Sequence, residues 1–543
     1  MKKIMSVVLS IGMLASAVGM SGCFGGGGSS DSLGDTTGKT VITVASYNGG
    51  LGLDWLRAAA GRFSKQNEGT SFEADKTGVV VDVVESQAGD MLQYQTSLTD
   101  DLYLTESVDY YYMQAKGLFA DISDVVKADL NDGSGKTIEQ KMDGAMSSYL
   151  KAKDQKYYGI PFYDGFYGFI YDVDMFETKG WFFDEAGNFT KTSKSKGIDG
   201  KEGTYDDGMP KTYAQFAKLV DKIRNDADGV TPFAWGGTDN EEYFIEALVN
   251  YWSNYEGKDK MQLNWSLNGD ANLITGWNGN EPIITSTKIT PDKRFDLQKQ
   301  AGKYYALKFM DEVIAGNGDN YTEATDFKAA QLKLIGSCLD GQMSKSPVAM
   351  IVDGSWFENE AELALTFDNV SKLDLRTDIA GKPYKMTRKF AFMPIPMVDD
   401  NCSTKQTLVS SNESYCFISS ATKGGELAAA KAFLKFLHTD AELSAFNKVT
   451  SITRPFSYTM SKADRDSMSY YGRSLLEMKE AADIVYPYSD NATYIEFSTQ
   501  HRVENWAWKS KFANAPVENP FTQFRSKADL DAKTYFEGLY KAY

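Results

Sequence analysis

Hydrophobic positions in the first part of the chain alternate between the spacing of strands and that of helices. Residues 40–46, TVITVAS, are β-branched and apolar, which is typical of a buried strand. The next segment, 53–67, places Leu53, Leu56 and Phe63 on one helical face. The same order predicts strands at 79–84 and 101–104 with helices at 89–98 and 108–116, and later helices at 213–224, 241–255 and 299–314. This alternation predicts parallel strands with helices on both faces, and ligands at the carboxyl ends of the strands.

Polar side chains at these strand ends are therefore candidate ligand-binding residues. Tyr47 and Asn48 follow the first strand, Glu85 and Asp90 flank the end of the second, and Glu106 follows the third. For Asp90, an N-cap of the following helix is an equally physical interpretation.

The amino terminus has the pattern of a secretory signal. Two lysines precede an apolar run over 4–18, which is too short to span a hydrocarbon core of about 30 Å. The run ends in MSGC, residues 20–23, which resembles a bacterial lipobox with Met20 in place of the usual leucine. The following FGGGGSS is typical of a flexible tether. We expect a signal peptide at 1–22, a lipidated Cys23 opening a tether over 23–40, and an extracytoplasmic protein anchored to the cell membrane; an exported protein with a stray cysteine is the alternative.

Charge and composition argue against several classes of function. The 543 residues include 57 Lys plus Arg against 74 Asp plus Glu, and a net charge of −17 argues against nucleic acid as a partner. With only two histidines the chain has no imidazole-rich metal centre. Past the lipobox three cysteines remain, Cys338, Cys402 and Cys416, for which buried free thiols are favoured over a Cys402–Cys416 disulfide.

One acidic segment suggests a metal. The stretch 199–208, DGKEGTYDDG, places Asp199, Asp206 and Asp207 among glycines, and oxygen-rich turns suit Ca²⁺. A solvated loop is the favoured interpretation and a structural calcium the alternative; we expect no other cofactor.

Six separated segments resemble motifs of the extracellular solute-binding proteins of ATP-driven carbohydrate importers, the family that includes maltose-binding protein. They are YGIPF at 158–162 with GFIYDVDMF at 168–176, PKTYAQF at 210–216, VAMIVDGSW at 348–356, FMPIP at 392–396, the helix within 415–436, and TRP at 453–455. The resemblance implies a two-lobed α/β fold of the periplasmic-binding-protein type with crossover hinge strands. Laid on this chain, lobe I would comprise 41–157 plus 405–457, and lobe II 158–404 plus 458–543.

The resemblance also implies site residues. Trp356 resembles a sugar-stacking tryptophan, with interlobe packing as the alternative. Tyr163, Asp164 and Tyr167 fall where the family has cleft residues, with function and structure evenly balanced. Further candidates are Trp235 and Trp252, which could equally be core, and Arg454, which could equally form a salt bridge at the hinge.

Together these features predict a monomeric, lipid-anchored receptor that captures an oligosaccharide and delivers it to the permease of an ABC transporter with a cytoplasmic ATPase. It would perform no catalysis. The alternatives are a lipoprotein glycoside hydrolase and a surface glycan-binding protein, and another solute such as a peptide or polyamine stays open.

Overall fold

The computed structural model describes residues 35–87, 90–226, 228–237, 241–315, 318–338, 346–374, 381–400, 405–410, 414–488, 520–527 and 529–541. The predicted signal peptide, Cys23 and Cys402 lie outside the described residues. None of the described helices combines the length and apolarity that a bilayer crossing requires.

Sixteen strands are present in the described part of the chain. In chain order they are β1 Thr40–Tyr47, β2 Val79–Ser86, β3 Leu102–Glu106, β4 Ile160–Pro161, β5 Tyr167–Asp172, β6 Phe182–Phe183, β7 Phe189–Thr190, β8 Thr231–Trp235, β9 Gly269–Asn278, β10 Glu281–Ile289, β11 Tyr321–Glu323, β12 Val348–Gly354, β13 Phe390–Phe392, β14 Thr407–Val409, β15 Ser414–Ile418 and β16 Asp483–Val485.

The α-helices surround these strands. They are α1 Asp54–Gln66, α2 Asp90–Tyr94, α3 Tyr110–Ala115, α4 Ser123–Val126, α5 Ile138–Lys141, α6 Gly144–Leu150, α7 Val173–Lys179, α8 Tyr213–Arg224, α9 Glu241–Glu256, α10 Lys258–Ser266, α11 Ala301–Phe309, α12 Phe327–Ile335, α13 Phe357–Leu363, α14 Thr366–Ser371, α15 Tyr384–Thr387, α16 Gly424–Phe436, α17 Asp440–Thr450, α18 Lys462–Asp466, α19 Tyr470–Ala481, α20 Pro520–Ser526 and α21 Ala532–Lys541.

Two five-stranded sheets organise the chain, each with its own apolar core. The first has the order β2-β1-β3-β15-β4; β1 pairs in parallel with β2 and β3, and β15 is antiparallel to β3. The second has the order β11-β8-β12-β5-β13, with β8, β11 and β12 parallel and β5 antiparallel to β12 and β13. We call the first sheet with its packed helices the first lobe and the second sheet with its helices the second lobe. The predicted residue boundaries of the lobes stay a prediction.

The parallel arrangement expected for the first three strands is confirmed. Both sheets are mixed, because the late strand β15 is antiparallel to β3 in the first sheet and the early strand β5 is antiparallel to β12 and β13 in the second. Capping side chains explain why helices begin within two of the motif segments. Asp172 accepts from Met175 N at 2.9 Å where α7 begins, and Gly180, at φ +72°, follows the last residue of that helix. Thr212 accepts from Gln215 N where α8 begins. The helix predicted over 299–314 is shorter, because α11 begins at Ala301 and passes into a π-helical turn at Met310.

Three segments cross between the lobes. The chain leaves β4 for β5, returns from β13 through β14 to β15, and crosses again after α17 toward β16, which pairs with β14. Cys416 on β15 is a buried free thiol, as favoured from the sequence.

Candidate functional site

The carboxyl ends of β1, β2 and β3 lie together, as parallel pairing requires. Asn48 Nδ2 donates to Glu85 Oε1 at 3.2 Å, and Gln87 donates to the same oxygen at 2.9 Å. Asn48 also accepts from Gly52 N, so it shapes the loop after β1. The carboxylate of Asp90 accepts from Gln87 N at 2.6 Å, a bond that closes the turn opening α2. These exposed or half-exposed side chains form a polar rim.

Deeper in the same region, Glu106 at the end of β3 accepts hydrogen bonds from two phenols. The hydroxyls of Tyr47 and Tyr163 both donate to its carboxylate. Burial raises the pKa of Glu106, although the two hydroxyl donors act in the opposite direction. Burial and the neighbouring Glu106 charge raise the pKa values of both tyrosines, which therefore stay neutral donors.

The second lobe contributes three aromatic rings to this place. Trp356 lies perpendicular to Tyr167, with ring centroids 5.0 Å apart, and to Tyr243 at 6.0 Å; the two tyrosines are 5.2 Å apart. Edge-to-face packing of this kind orients all three rings. The indole lies against Gly354, where an added Cβ would be 2.2 Å from the ring. Glycine in the GSW motif is therefore a steric requirement for this ring position. We call Tyr47, Glu106, Tyr163, Tyr167, Tyr243 and Trp356 the interlobe cluster.

The two lobes touch beside this cluster. Asn359 Nδ2 on α13 donates to Gly50 O at 2.6 Å. A Cβ placed on Gly50, at φ +82°, would be 3.5 Å from Glu360 and 3.6 Å from Trp356, and one on Gly52 would be 3.0 Å from Leu363. The glycine-rich loop after β1 thus brings the first lobe against α13. Trp356 is only 7% exposed as a result, and both interpretations of it, stacking and interlobe packing, fit this position.

Two buried carboxyls behind Trp356 share one amide. Gln331 Nε2 donates to Asp353 Oδ2 at 3.0 Å and to Glu360 Oε2 at 2.8 Å. We call Asp353 and Glu360 the acid pair. Burial raises the pKa of Asp353 to about 7; burial and then the charge of Asp353 raise that of Glu360 to about 8.

Sequence reasoning missed the acid pair and Tyr243. Asp353 stands inside the quoted VAMIVDGSW segment and Glu360 lies one turn beyond it, so proximity to Trp356 was the available signal. Tyr243 is one of many aromatic residues on predicted helices, and no feature of its spacing distinguishes it.

Asp164 and Arg454 lie at the crossing segments and are fully or almost fully buried. Asp164 accepts from Ser410 and Thr453 and pairs with Lys479 at 2.5 Å. Arg454 donates to the carbonyls of Phe162 and Leu437 and faces His438 Nε2 at 2.7 Å. Arg454 therefore bonds to carbonyls and an imidazole and forms no salt bridge within the described residues, which was the alternative to ligand binding.

Trp235 and Trp252 lie in the core of the second lobe and are 1% and 0% exposed. Trp235 packs on Phe521, with centroids 4.5 Å apart, and the ammonium of Lys303 lies 5.1 Å from the ring of Trp252. The structure does not bring either indole into the interlobe cluster.

Carboxylates within the acidic loop accept hydrogen bonds from its own backbone and so hold its turns. Asp206 is buried and accepts from Ile198 N at 2.6 Å and Asp199 N at 2.9 Å, while Asp207 accepts from Gly203 N. Asp199 accepts from Lys201 N. Across the described ranges there is no group of three or more His, Cys, Asp or Glu placed to hold a metal ion. The buried Asp206 departs from a simple solvated loop, and structural calcium stays the untested alternative.

Comparison with known proteins assigns the class. The family model of bacterial extracellular solute-binding proteins matches residues 52–442, and the chain belongs to this family. The fold is similar to that of apo RafE from Streptococcus pneumoniae, at 15% identity and TM-score 0.51 over 93% of this chain and 97% of that one. It is also similar to a cyclic α-maltosyl-1,6-maltose binding protein from Arthrobacter globiformis, at 12% identity and TM-score 0.54 over 93% of this chain and 98% of that one. A chitin oligosaccharide binding protein is similar at 14% identity and TM-score 0.51, again over 93% of this chain and 98% of that one. The predicted two-lobed α/β fold is thereby confirmed. No curated protein matches the chain.

Proposed function

We propose that the protein is the substrate-binding component of an ABC importer and binds an oligosaccharide between its lobes, at the interlobe cluster. The observation that carries the proposal is the convergence of aromatic rings and a carboxylate from both lobes beside the only stacking tryptophan that the family motif indicates. Aromatic faces stack on the apolar side of a sugar ring, and carboxylates accept from its hydroxyls. The structural neighbours named for cyclic α-maltosyl-1,6-maltose and for chitin oligosaccharides support this ligand class.

In this proposal the ligand enters when the lobes separate at the crossing segments, and closure brings α13 onto the loop after β1. The Asp164 network, which joins all three crossings, is the natural pivot, because its bonds lie within the crossings and not across the ligand site. The protein then acts as a monomer, performs no catalysis and delivers the sugar to permease subunits.

Thermal-shift screening of the fragment from Phe24 against neutral and modified oligosaccharides tests the proposal. A ligand at 100 times its dissociation constant adds about 2.7 kcal/mol of stability, which visibly raises the melting temperature. The shift should disappear in Trp356→Ala and persist in Trp181→Phe, a buried indole that bonds to Asp226 in the second lobe. Equal shifts in both variants would place the ligand elsewhere, and recovery of a shortened sugar by chromatography would favour a glycoside hydrolase.

We further propose that a lipid on Cys23 anchors the protein outside the cell. The lipobox resemblance and the Gly/Ser tether support this. Cys23→Ser should move the protein from the membrane fraction to the medium, whereas Cys416→Ser should leave it on the membrane. Retention of Cys23→Ser on the membrane would contradict lipidation.

A further inference from the structure

The segment that carries Trp356 begins a helix without a capping side chain of its own. Trp356 occupies the N-cap position of α13 and provides no hydrogen bond to the first turn of that helix. Helices α7 and α8, by contrast, are capped by the carboxylate of Asp172 and the hydroxyl of Thr212. Because the indole stands at an uncapped helix end, contacts from other elements hold this end in place.

Helix α19 bonds to the chain on both sides of Trp356. The hydroxyl of Tyr471 donates to the carbonyl oxygen of Ser355 at 3.1 Å, and the hydroxyl of Ser469 donates to Glu358 Oε2 at 2.7 Å. Ser469 is also the N-cap of α19, so its side chain is fixed by the helix that it begins. The start of one helix thus bonds to the residue before the indole and to the residue two positions after it.

Glu358 extends these contacts to the first lobe. The same oxygen, Oε2, accepts from Ser451 Oγ at 2.6 Å. Ser451 follows α17, which packs into the core of the first lobe through Phe446, whereas α19 packs into the core of the second through Tyr471. The carboxyl therefore joins the start of the third crossing and the start of α19 to the start of α13.

These bonds are buried and closely packed. Glu358, Ser451 and Ser469 are almost fully buried. A Cβ placed on Gly472, in the first turn of α19, would be 2.7 Å from Ser451 Oγ, so the contact requires glycine. Ser451 itself has the left-handed conformation at φ +61°, which is uncommon for a residue other than glycine. Because a buried polar group that loses its partner is costly, the three side chains hold their elements in one arrangement.

We propose that Glu358 is a positioning residue of the ligand site, which sets the place of the Trp356 ring through its bonds to Ser451 and Ser469. The inference rests on the proposed function, in which this indole stacks on the ligand. Since Glu358 bonds to one helix of each lobe, a change in the arrangement of the lobes at the third crossing reaches α13 through this carboxyl. The ring that contacts the ligand is thereby coupled to a segment about which the lobes separate.

The experiment is fluorine NMR of the ligand-free fragment from Phe24, labelled with 5-fluorotryptophan. The resonance of Trp356 is identified as the one that is missing in Trp356→Phe. Glu358→Ala removes the acceptor of both serine hydroxyls and should shift the Trp356 resonance by more than its linewidth. The resonance of Trp181, a buried indole of the second lobe that bonds to Asp226, is the internal reference and should stay in place.

Two further variants separate positioning from stability. Glu358→Gln keeps an acceptor oxygen for both hydroxyls and should restore the parent spectrum. Burial raises the pKa of Glu358, which favours the neutral carboxyl that an amide resembles. Glu256→Ala is the matched control, since Glu256 is a buried acid of the second lobe that accepts from Gly302 N at 2.7 Å. It should lower the melting temperature and leave the Trp356 resonance in place.

Ser451→Ala tests the connection to the first lobe and replaces Glu358→Ala if that variant does not fold. It removes one of the two donors to Glu358, so it should shift the Trp356 resonance by a smaller amount. Combined with Glu358→Ala it should add no further shift, because its partner is already absent. Melting curves of each variant verify folding.

An unmoved Trp356 resonance in a folded Glu358→Ala or Ser451→Ala protein overturns the inference, and so does an equal shift in Glu256→Ala. The spectra are recorded without ligand, so they test the positioning role separately from the binding of oligosaccharides. Failure of every oligosaccharide to bind would overturn the proposed function and would leave the measured position of the ring unchanged.

Discussion

Two buried carboxyl sites in the second lobe are treated in opposite ways. Asp172 in β5 and Arg388 after α15 are 0% and 2% exposed and form an ion pair at 2.5 Å. Asp353 and Glu360 are 1% and 7% exposed and share only a glutamine amide. The first site is electrically complete and lies in the core, where it fixes a helix start. The second is incomplete and lies where the lobes meet. A buried acid without a cation is neutralised by keeping its proton, which is the direction in which burial raises the pKa of both acids.

Breaking the complete site should have the largest effect. Arg388→Met leaves Asp172 buried without its cation and should lower the free energy of unfolding by about 3–5 kcal/mol, measured by chemical denaturation at neutral pH. The neighbouring Lys389→Met is the control, because its pair with Glu177 is well exposed and should contribute less than about 1 kcal/mol. Equal losses in the two variants would contradict the distinction between them.

Displacing the Trp356 ring without changing a charged residue tests the aromatic side chains separately from the acids. Gly354→Ala places a methyl 2.2 Å from the indole of Trp356, so the ring must shift, at a cost of about 1–3 kcal/mol in unfolding free energy. Sugar affinity should fall by about tenfold as the ring leaves its position. In Gly276→Ala, a strand glycine whose nearest neighbour would be Ile283 at 3.7 Å, both quantities should stay close to those of the parent protein. Unchanged affinity in Gly354→Ala would remove Trp356 from the site.

The incomplete site should show itself in the dependence of stability on pH. Acids whose pKa values rise on folding bind more protons in the native state, so stability falls as pH rises from their unfolded pKa values toward about 8. Glu360→Gln removes one such acid. Relative to the parent protein it should therefore gain about 1–2 kcal/mol between pH 5 and pH 8, measured by urea denaturation across that range. A difference that does not vary with pH would show that Glu360 titrates normally.

An acid bonded to a backbone amide should give the smallest effect. Asp90→Ala removes the acceptor of Gln87 N and should lower stability by about 0.5–1 kcal/mol, with ligand affinity unchanged. Loss of affinity without loss of stability would instead support Asp90 as a ligand-binding residue. Thermal melts with and without sugar distinguish the two results.

Periodicity and motifs predicted much of the fold for a clear reason. Segments such as 40–46 and 213–224 are long and strongly patterned, and their neighbours along the chain are also their neighbours in space. The strand ends were correctly brought together, since parallel pairing follows from alternation. Antiparallel β15 came from a distant segment, and spacing along the chain carries no information about that partner.

The candidate site was harder to predict from the sequence, because burial and hydrogen-bond partners decide the role of a polar residue. Trp235 and Trp252 have the same composition signal as Trp356, and only packing separates core from interface. Asp164 and Arg454 stand in the right motifs, but their bonds go to Ser410, Thr453 and backbone carbonyls. The acid pair needed the fold, because α12 brings Gln331 between two carboxyls from different elements.

The first sheet also has a consequence for how the protein is made. Its central strand β3 lies between β1 and β15, whose segments are separated along the chain by the whole second sheet, so the pairing of β3 with β15 joins residues roughly 300 positions apart. During synthesis or export, β3 therefore has an unpaired edge until the segment of β15 becomes available. Truncation before Ser414 would leave that edge exposed and prone to aggregation. A chaperone that covers unpaired strand edges would therefore be needed most by the amino-terminal third of the nascent chain.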